Sequence, residues 1–127
     1  MEFNNYYETS GICIDTRKIE ENCLFICLKG ENFNGNDFAE QALRSGAKYV
    51  ISDDSKYKNT KNIIVVENSL KYLQELANYH RKRFEIPIIG ITGTNGKTTS
   101  KELIATVLSE KYNTLYTLGN LNNHIGV

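Results

Sequence analysis

The sequence predicts an α/β protein with mainly parallel strands, built as a small N-terminal α/β domain followed by the beginning of a second α/β domain. Two observations support this fold class. Short β-branched, apolar runs alternate with segments of helical periodicity, which is typical of parallel α/β layers. The only proline, Pro87, lies at a break in composition. We therefore place a domain boundary near it and divide the chain into residues 1–84 and 85–127.

Composition excludes several classes of protein. The 127-residue chain is 40% hydrophobic and 24% charged, and fifteen basic residues balance fifteen acidic ones. Without a net positive field we expect no nucleic-acid partner. The chain has no apolar run of the ~20 residues that span a bilayer and no secretory signal, so we expect no membrane partner and a cytoplasmic location. Cys13, Cys23 and Cys27 lack metal-ligand spacing and are interpreted as reduced core residues.

The first half of the N-terminal domain is predicted to contain two strands and a helix. Residues 11–15 and 22–28 are the strands, because they are short apolar runs. The polar, Asn/Gly-rich segment 29–37 is predicted to be a loop, too long for a tight hairpin turn. Asp37 is expected to cap a helix over residues 38–45, with Gly46 at its C-terminal end.

The second half of this domain adds two buried strands, residues 47–52 and 62–66, and a longer helix over 70–83. Asn68 or Ser69 can cap that helix. His80 on the same helix is interpreted as a surface or packing histidine rather than a catalytic one. Helical spacing predicts that the inward face of the helix carries Leu70, Leu73, Leu76 and Ala77.

Beyond Pro87, the predicted order is strand, glycine turn, helix and strand. Residues 84–92 read as a strand, residues 93–97 as the turn, and residues 98–111 as the helix. Residues 112–117 read as one more strand, followed by a polar loop. The residues expected to face inward from the helix are Leu103, Ile104, Val107 and Leu108.

The glycine turn has the parts that a polyphosphate needs. Gly93 and Gly96 allow backbone N–H groups to converge on an anion, and the helix that starts directly afterwards adds positive potential. Lys97 can reach the β- and γ-phosphates of ATP, and the Thr98 hydroxyl can hold Mg²⁺. Ile91 stands where the strict phosphate-loop pattern has glycine. The alternative is an ordinary strand-to-helix turn that contains glycine.

"TGTNGKTT", residues 92–99, resembles the ATP loop of the Mur ligase family, the cytoplasmic enzymes that build the peptide stem of bacterial cell-wall precursors. Folylpolyglutamate synthases carry a related loop. The flanking stretches "GKTTSKELIATVLS" and "TLYTLGNLNNHIGV" are similar to the branch of the family that adds D-alanyl-D-alanine. Upstream, residues 15–53 resemble the family's UDP-binding N-terminal domain.

The resemblance implies an ATP- and Mg²⁺-dependent ligase that joins D-alanyl-D-alanine to UDP-MurNAc-tripeptide through an acyl phosphate. It implies that Lys97 and Thr98 are catalytic, with Thr98 on the metal. The residues implied for ATP are Gly93, Thr94, Asn95, Gly96, Lys97, Thr98 and Thr99. Those implied to face the UDP moiety are Thr16, Lys29, Gly30, Glu31 and Asn32. Those implied beside the reacting groups are Asn120, Asn122 and Asn123, which without the resemblance are simply turn formers.

The chain departs from the family pattern at Asn34 and Asn36, where the family has Asp and His, so a nucleotide contact through these side chains is left open. We interpret the chain as the N-terminal part of a monomeric three-domain ligase, inactive alone, with further Mg²⁺ ligands and the dipeptide site beyond Val127. The alternatives are a Mur ligase that adds the third stem residue, a folylpolyglutamate synthase, or a non-catalytic nucleotide-binding module. Whether that third residue is lysine or diaminopimelate is left open.

Overall fold

The chain divides into two compact units, residues 1–84 and residues 85–127. The structure is a computed structural model and describes residues 3–119. The described strands are β1 (Ile12–Cys13), β2 (Leu24–Ile26), β3 (Lys29–Gly30), β4 (Phe33–Asn34), β5 (Tyr49–Ser52) and β6 (Ile63–Val65). The described α-helices are α1 (Asn4–Tyr7), α2 (Ala39–Arg44), α3 (Ser69–Arg81) and α4 (Lys97–Ser109). None of the helices within residues 3–119 is long and apolar enough to cross a bilayer.

A four-stranded sheet forms the centre of the first unit. Its order is β1-β2-β5-β6, and every neighbouring pair is parallel. The predicted α/β class with parallel pairing is confirmed for this unit. Parallel strands need a crossover connection, and α2 supplies it between β2 and β5.

Strand β2 is buried on both faces of the sheet. Successive side chains alternate across a strand, so Phe25 packs on the α2 side with Ala39 and Ala42. Leu24 and Ile26 pack on the other side, in a cluster with Phe3 and with Tyr72 and Leu76 of α3. Full burial of such a side chain contributes roughly 1.5–3 kcal/mol. This two-sided burial explains why β2 reads as a continuous apolar run rather than an alternating one.

The three cysteines are buried and unpaired, as predicted. Cys13, Cys23 and Cys27 belong to the cluster on the α2 side of the sheet. Burial, reinforced by the nearby Asp53 carboxylate, raises the pKa of the Cys27 thiol to about 12. Cys27 therefore behaves as a small apolar core residue.

Helix α3 confirms its predicted cap and corrects its predicted face. The Asn68 side chain accepts a hydrogen bond of 2.8 Å from the backbone N–H of Lys71. Ala77, expected to face inward, is exposed. Tyr72 is buried instead, and its ring meets that of Phe3 edge-on at 5.3 Å. Because the aromatic N-terminal segment packs against α3, the buried face of the helix contains Tyr72 and not Ala77. The helical periodicity alone could not indicate this.

His80 packs edge-on against Tyr6, with ring centroids 5.4 Å apart, so it is a packing histidine.

Two expectations for the segment before α2 were wrong. Residues 29–34 form a tight antiparallel hairpin, with Lys29 opposite Asn34 and only two residues between its strands. Phe33 stabilises the second strand by stacking on Phe38, with ring centroids 5.3 Å apart. Asp37 does not cap α2, which begins at Ala39 without a side-chain cap. The Asn34 side chain instead caps a 3₁₀ turn, Gly35–Phe38, by accepting a 3.1 Å hydrogen bond from the Asn36 N–H.

In the second unit the predicted helix forms, but the predicted strands over 84–92 and 112–117 do not. A strand needs a partner for its N–H and C=O groups, and no strand after Val65 is present among the described residues. The helix face expected to be inward is also exposed, Leu103 by 63% and Val107 by 71%, while Ala105 is buried. Together with Leu108, the exposed residues line a shallow apolar groove beside Ile89.

Candidate functional site

Polar segments follow three neighbouring strands of the sheet at their carboxyl ends. Asp15 and a 3₁₀ turn, Thr16–Lys18, follow β1; the 29–34 hairpin follows β2; Asp53 follows β5. β2 pairs with both β1 and β5, so these segments meet at one edge of the sheet. In open parallel sheets, ligands bind outside the carboxyl ends of the strands. This edge is the candidate site of the first unit.

An open depression at the hairpin brings together four of the five residues predicted to face UDP. Its lining is Lys29, Gly30, Glu31, Asn32, Phe33, Asn34 and Asp37. Thr16, the fifth predicted residue, does not line the depression. It lies in the turn after β1, where the Asp15 carboxylate accepts the Arg17 backbone N–H and pairs with the Arg17 guanidinium at 2.7 Å.

The cation that lines the depression, Lys29, belongs to an ion pair. Lys29 Nζ lies 2.9 Å from Asp53 Oδ1, and the Asp53 side chain is only 12% exposed against 55% for Lys29. Burial acts to raise the pKa of Asp53, but hydrogen bonds from Lys29 and Asn36 outweigh it and hold the pKa below its ordinary value. Asp53 is therefore a partly exposed anion that holds a more exposed cation.

Asn36 is a residue that sequence reasoning left open, and the structure assigns its contacts. The side chain is fully buried. Its Nδ2 donates to Asn34 Oδ1 at 3.0 Å and to Asp53 Oδ1 at 2.7 Å, and its Oδ1 accepts from Ser52 Oγ at 2.6 Å. The amide has two donor hydrogens and both are used, so Asn36 makes internal bonds rather than ligand contacts. The only signal in the sequence for a special role of Asn36 was that the family has histidine at this position.

Gly35 also escaped sequence reasoning, although it shapes this edge. A Cβ at this position would lie 2.6 Å from the Leu28 carbonyl oxygen and 2.7 Å from the Leu28 nitrogen. The Gly35 N–H donates to that same carbonyl at 2.8 Å. The turn before α2 can therefore sit directly on the end of β2 only because residue 35 has no side chain.

The second candidate site is the glycine turn that precedes α4. Gly93 has φ +152° and Gly96 has φ +77°, a left-handed conformation that favours glycine. Gly96 occupies the N-cap of α4 and offers no side chain to cap the helix. The N–H groups of the first helical turn are therefore available to an anion.

The side chains of this turn are arranged around the loop. Lys97 Nζ reaches back to the Gly93 carbonyl oxygen at 2.6 Å, so its ammonium group spans the turn. The other residues predicted to bind ATP are exposed: Gly93, Thr94, Asn95, Gly96, Thr98 and Thr99. The predicted metal group, the Thr98 hydroxyl, is in the first turn of α4. No group of three His, Cys, Asp or Glu residues in the described part of the chain could hold a metal.

Lys101 is a further residue that sequence reasoning missed. Its Nζ bonds to the carbonyl oxygens of Thr117 at 2.5 Å and Gly119 at 3.1 Å, and its side chain is only 14% exposed. It ties the segment after α4 to the middle of that helix. Asn120, Asn122 and Asn123, predicted beside the reacting groups, lie outside the described residues.

Comparison with known proteins decides the family. Residues 8–81 match the profile described as "Mur ligase family, catalytic domain", and residues 91–127 match "Mur ligase middle domain". The chain belongs to the Mur ligase family. The family resemblance inferred from the phosphate turn and its flanks is thereby confirmed.

Relatives within the Mur ligases differ in their similarity to this chain. The UDP-N-acetylmuramoyl-tripeptide–D-alanyl-D-alanine ligase of Bacillus subtilis is 43% identical over 98% of this chain, which spans 28% of that relative. The UDP-N-acetylmuramoyl-L-alanyl-D-glutamate–2,6-diaminopimelate ligase of Caldanaerobacter subterraneus is 32% identical over 97% of this chain, which spans 26% of that relative.

A solved structure supports the fold. The crystal structure of MurF ligase from Thermotoga maritima in complex with ADP superposes with a TM-score of 0.84 at 32% identity. The match covers 99% of this chain and 29% of the other. The chain thus spans less than a third of the length of the relatives it matches.

Proposed function

We propose that this chain supplies the uridine-nucleotide site and the ATP loop of a ligase that joins D-alanyl-D-alanine to UDP-MurNAc-tripeptide. One observation carries the choice of reaction: identity is 43% to the relative named for that reaction and 32% to the relative named for adding diaminopimelate. Addition of the third stem residue is the second candidate, because the chain also aligns with that relative over 97% of its length.

The glycine turn is the site proposed for the phosphates of ATP. The uncapped start of α4 and the backbone of Gly93–Thr99 offer N–H groups, and the Lys97 ammonium lies across the turn. When ATP binds, the Lys97 ammonium group leaves the Gly93 carbonyl oxygen and contacts the β- and γ-phosphates. Its positive charge offsets the negative charge that develops on them during transfer. The Thr98 hydroxyl is the proposed ligand for Mg²⁺, which neutralises phosphate charge when bound.

The reaction we propose has two steps. A carboxylate oxygen of the tripeptide attacks the γ-phosphorus of ATP and releases ADP, which leaves an acyl phosphate. The amine of D-alanyl-D-alanine then attacks the acyl carbon, the C–O bond to phosphate breaks, phosphate leaves, and the nitrogen releases a proton to solvent. Within this chain, Lys97 acts in the first step. Asn120, Asn122 and Asn123 are proposed to lie beside the reacting groups.

The depression at the hairpin is proposed to hold the UDP end of the substrate. Lys29 offers an exposed ammonium group there, and Gly30, Glu31 and Asn32 offer backbone and side-chain polar groups. Thr16 lies on the same edge of the sheet and is proposed as a further contact. We further propose that the protein works as a monomer in the cytoplasm, where ATP is available.

The ligation is tested with two chimeras, in which this chain replaces the matching segment of the Bacillus subtilis relative or of the Caldanaerobacter subterraneus relative. Mass spectrometry follows UDP-MurNAc-pentapeptide formation from the tripeptide, D-alanyl-D-alanine and ATP in the first chimera, and addition of diaminopimelate to UDP-MurNAc-dipeptide in the second. We expect product from the first chimera only, because this chain is more similar to that relative. Product from the second chimera only would favour the second candidate, and product from neither would contradict the proposal.

The ATP loop is tested in the chimera with the Bacillus subtilis relative. Lys97→Met should lower turnover by about 100-fold or more, as loss of a charge-stabilising group does. Lys111→Met is the matched control, because Lys111 is an exposed lysine beyond the end of α4. Equal activity of the Lys97 and Lys111 variants would contradict the role of Lys97.

A further inference from the structure

The Asp53 carboxylate joins three segments at the carboxyl edge of the sheet. Asp53 itself follows β5. Its carboxylate accepts Lys29 Nζ of the hairpin at 2.9 Å and Asn36 Nδ2 of the 3₁₀ turn at 2.7 Å. The backbone N–H of Ser69, the first residue of α3, also helps to lower the pKa of this carboxyl. An anion with two side-chain donors and 12% exposure has a single favourable position.

The orientation of the Asn36 amide is set by a directed chain of hydrogen bonds. The Asp54 N–H donates to Ser52 Oγ at 3.1 Å, which leaves the Ser52 hydroxyl hydrogen to be donated to Asn36 Oδ1 at 2.6 Å. Asn36 Nδ2 must then point towards Asp53 and Asn34. Flipping the amide would place two acceptors face to face in a buried site.

The side-chain amide of Asn36 holds both strands of the hairpin through hydrogen bonds. Lys29 of β3 is held through Asp53, and Asn34 of β4 is held directly by Asn36 Nδ2 at 3.0 Å. Lys29 and Asn34 are also opposite each other in the register of the hairpin. The open ends of β3 and β4 are therefore clamped together, and the depression is built on the turn beyond them.

We propose that Asn36 and Asp53 are positioning residues of the nucleotide site, which hold the Lys29 ammonium at the depression without contacting the ligand themselves. This inference rests on the proposed function, in which the depression takes the UDP end of the substrate. The affinity effects of Lys29 and Asn36 should then be coupled, because Asn36 acts on the ligand through Lys29.

The experiment measures binding of UDP-MurNAc-tripeptide to the whole 127-residue chain by isothermal titration calorimetry. Lys29→Met and Asn36→Ala should each weaken binding about tenfold, since each removes a hydrogen bond that involves a charged group. The double variant should also be about tenfold weaker, whereas independent effects would multiply to about 100-fold.

Tyr57→Phe is the matched control for lost stability. The Tyr57 hydroxyl donates to the Asn36 backbone oxygen at 2.9 Å, whereas Asp53 is bonded by the Asn36 side chain. It should therefore lower the urea midpoint without changing the affinity. If Asn36→Ala does not fold, Asp53→Asn replaces it in the same cycle with Lys29→Met, because it removes the charge and keeps the shape.

The pKa of the Asp53 carboxyl, measured by NMR titration in the absence of ligand, tests the hydrogen-bond network directly. Its pKa should rise in Asn36→Ala and in Lys29→Met, because each variant removes a group that lowers it. The inference is overturned if the double variant shows independent losses, if Asn36→Ala binds like wild type, or if Tyr57→Phe weakens binding equally. Absence of binding by the wild-type chain would overturn the proposed function and this inference with it, whereas binding without coupling would overturn this inference alone.

Discussion

The contact of Gly35 with the end of β2 predicts that Gly35→Ala is strongly destabilising. The new Cβ would lie 2.6 Å and 2.7 Å from the Leu28 carbonyl oxygen and nitrogen and 3.0 Å from the Cys27 carbonyl carbon. All three are backbone atoms of Cys27 and Leu28, which directly follow the central strand β2, and they cannot rotate away. Relieving the overlap costs roughly 1–3 kcal/mol. Moving the turn away also weakens the hydrogen bond from Gly35 to Leu28, worth about 1 kcal/mol.

We therefore expect the free energy of unfolding to fall by about 3 kcal/mol, which is a large part of the stability of an ordinary domain. Urea unfolding monitored by tyrosine fluorescence measures it, because six of the eight tyrosines precede residue 85. The midpoint should drop by about 1–3 M urea. Gly30→Ala is the matched control, since a Cβ there meets nothing within 4 Å. Equal midpoints for the two variants would refute the steric reasoning.

Three other predictions concern a carboxylate, a helix cap and a thiol. Hydrogen bonds from the Arg17 side chain and backbone lower the pKa of Asp15 to about 2. The ionised carboxylate therefore stabilises the folded state fully above its ordinary pKa, and this contribution is lost as the pH falls towards 2. The difference in urea midpoint between wild type and Asp15→Asn should accordingly shrink between about pH 5 and pH 2, and a constant difference would contradict this. Asn68→Ala removes the α3 cap and should cost about 1 kcal/mol in urea unfolding, whereas Asn78→Ala, exposed on the same helix, should cost less than about 0.5 kcal/mol. With its pKa raised to about 12, Cys27 should resist iodoacetamide in the native state at pH 8 and react in urea; rapid native labelling would show that the thiol is accessible.

Helices α2, α3 and α4, the parallel strands of the first unit and the glycine turn before α4 were predictable because their signals are local. Asn68 caps α3 through a residue three positions away, and Gly46 ends α2 with φ +110°, so neighbouring residues determine both features. The apolar runs at β2 and β5 indicated burial without reference to any partner. Gly96 and Lys97 indicated an anion site by their order alone.

The features that the sequence could not determine depend on atoms distant along the chain. Tyr72 replaces Ala77 on the buried face of α3 because Phe3 packs there. Asn36 reads as a turn residue, and its bond to Asp53, seventeen positions away, exists only when β5 is in place. The isolated apolar runs after Pro87 carry the composition of strands, but pairing needs a neighbour. Propensity and capping are properties of neighbouring residues, whereas strand pairing, buried amide networks and the choice of buried face are properties of the assembled core.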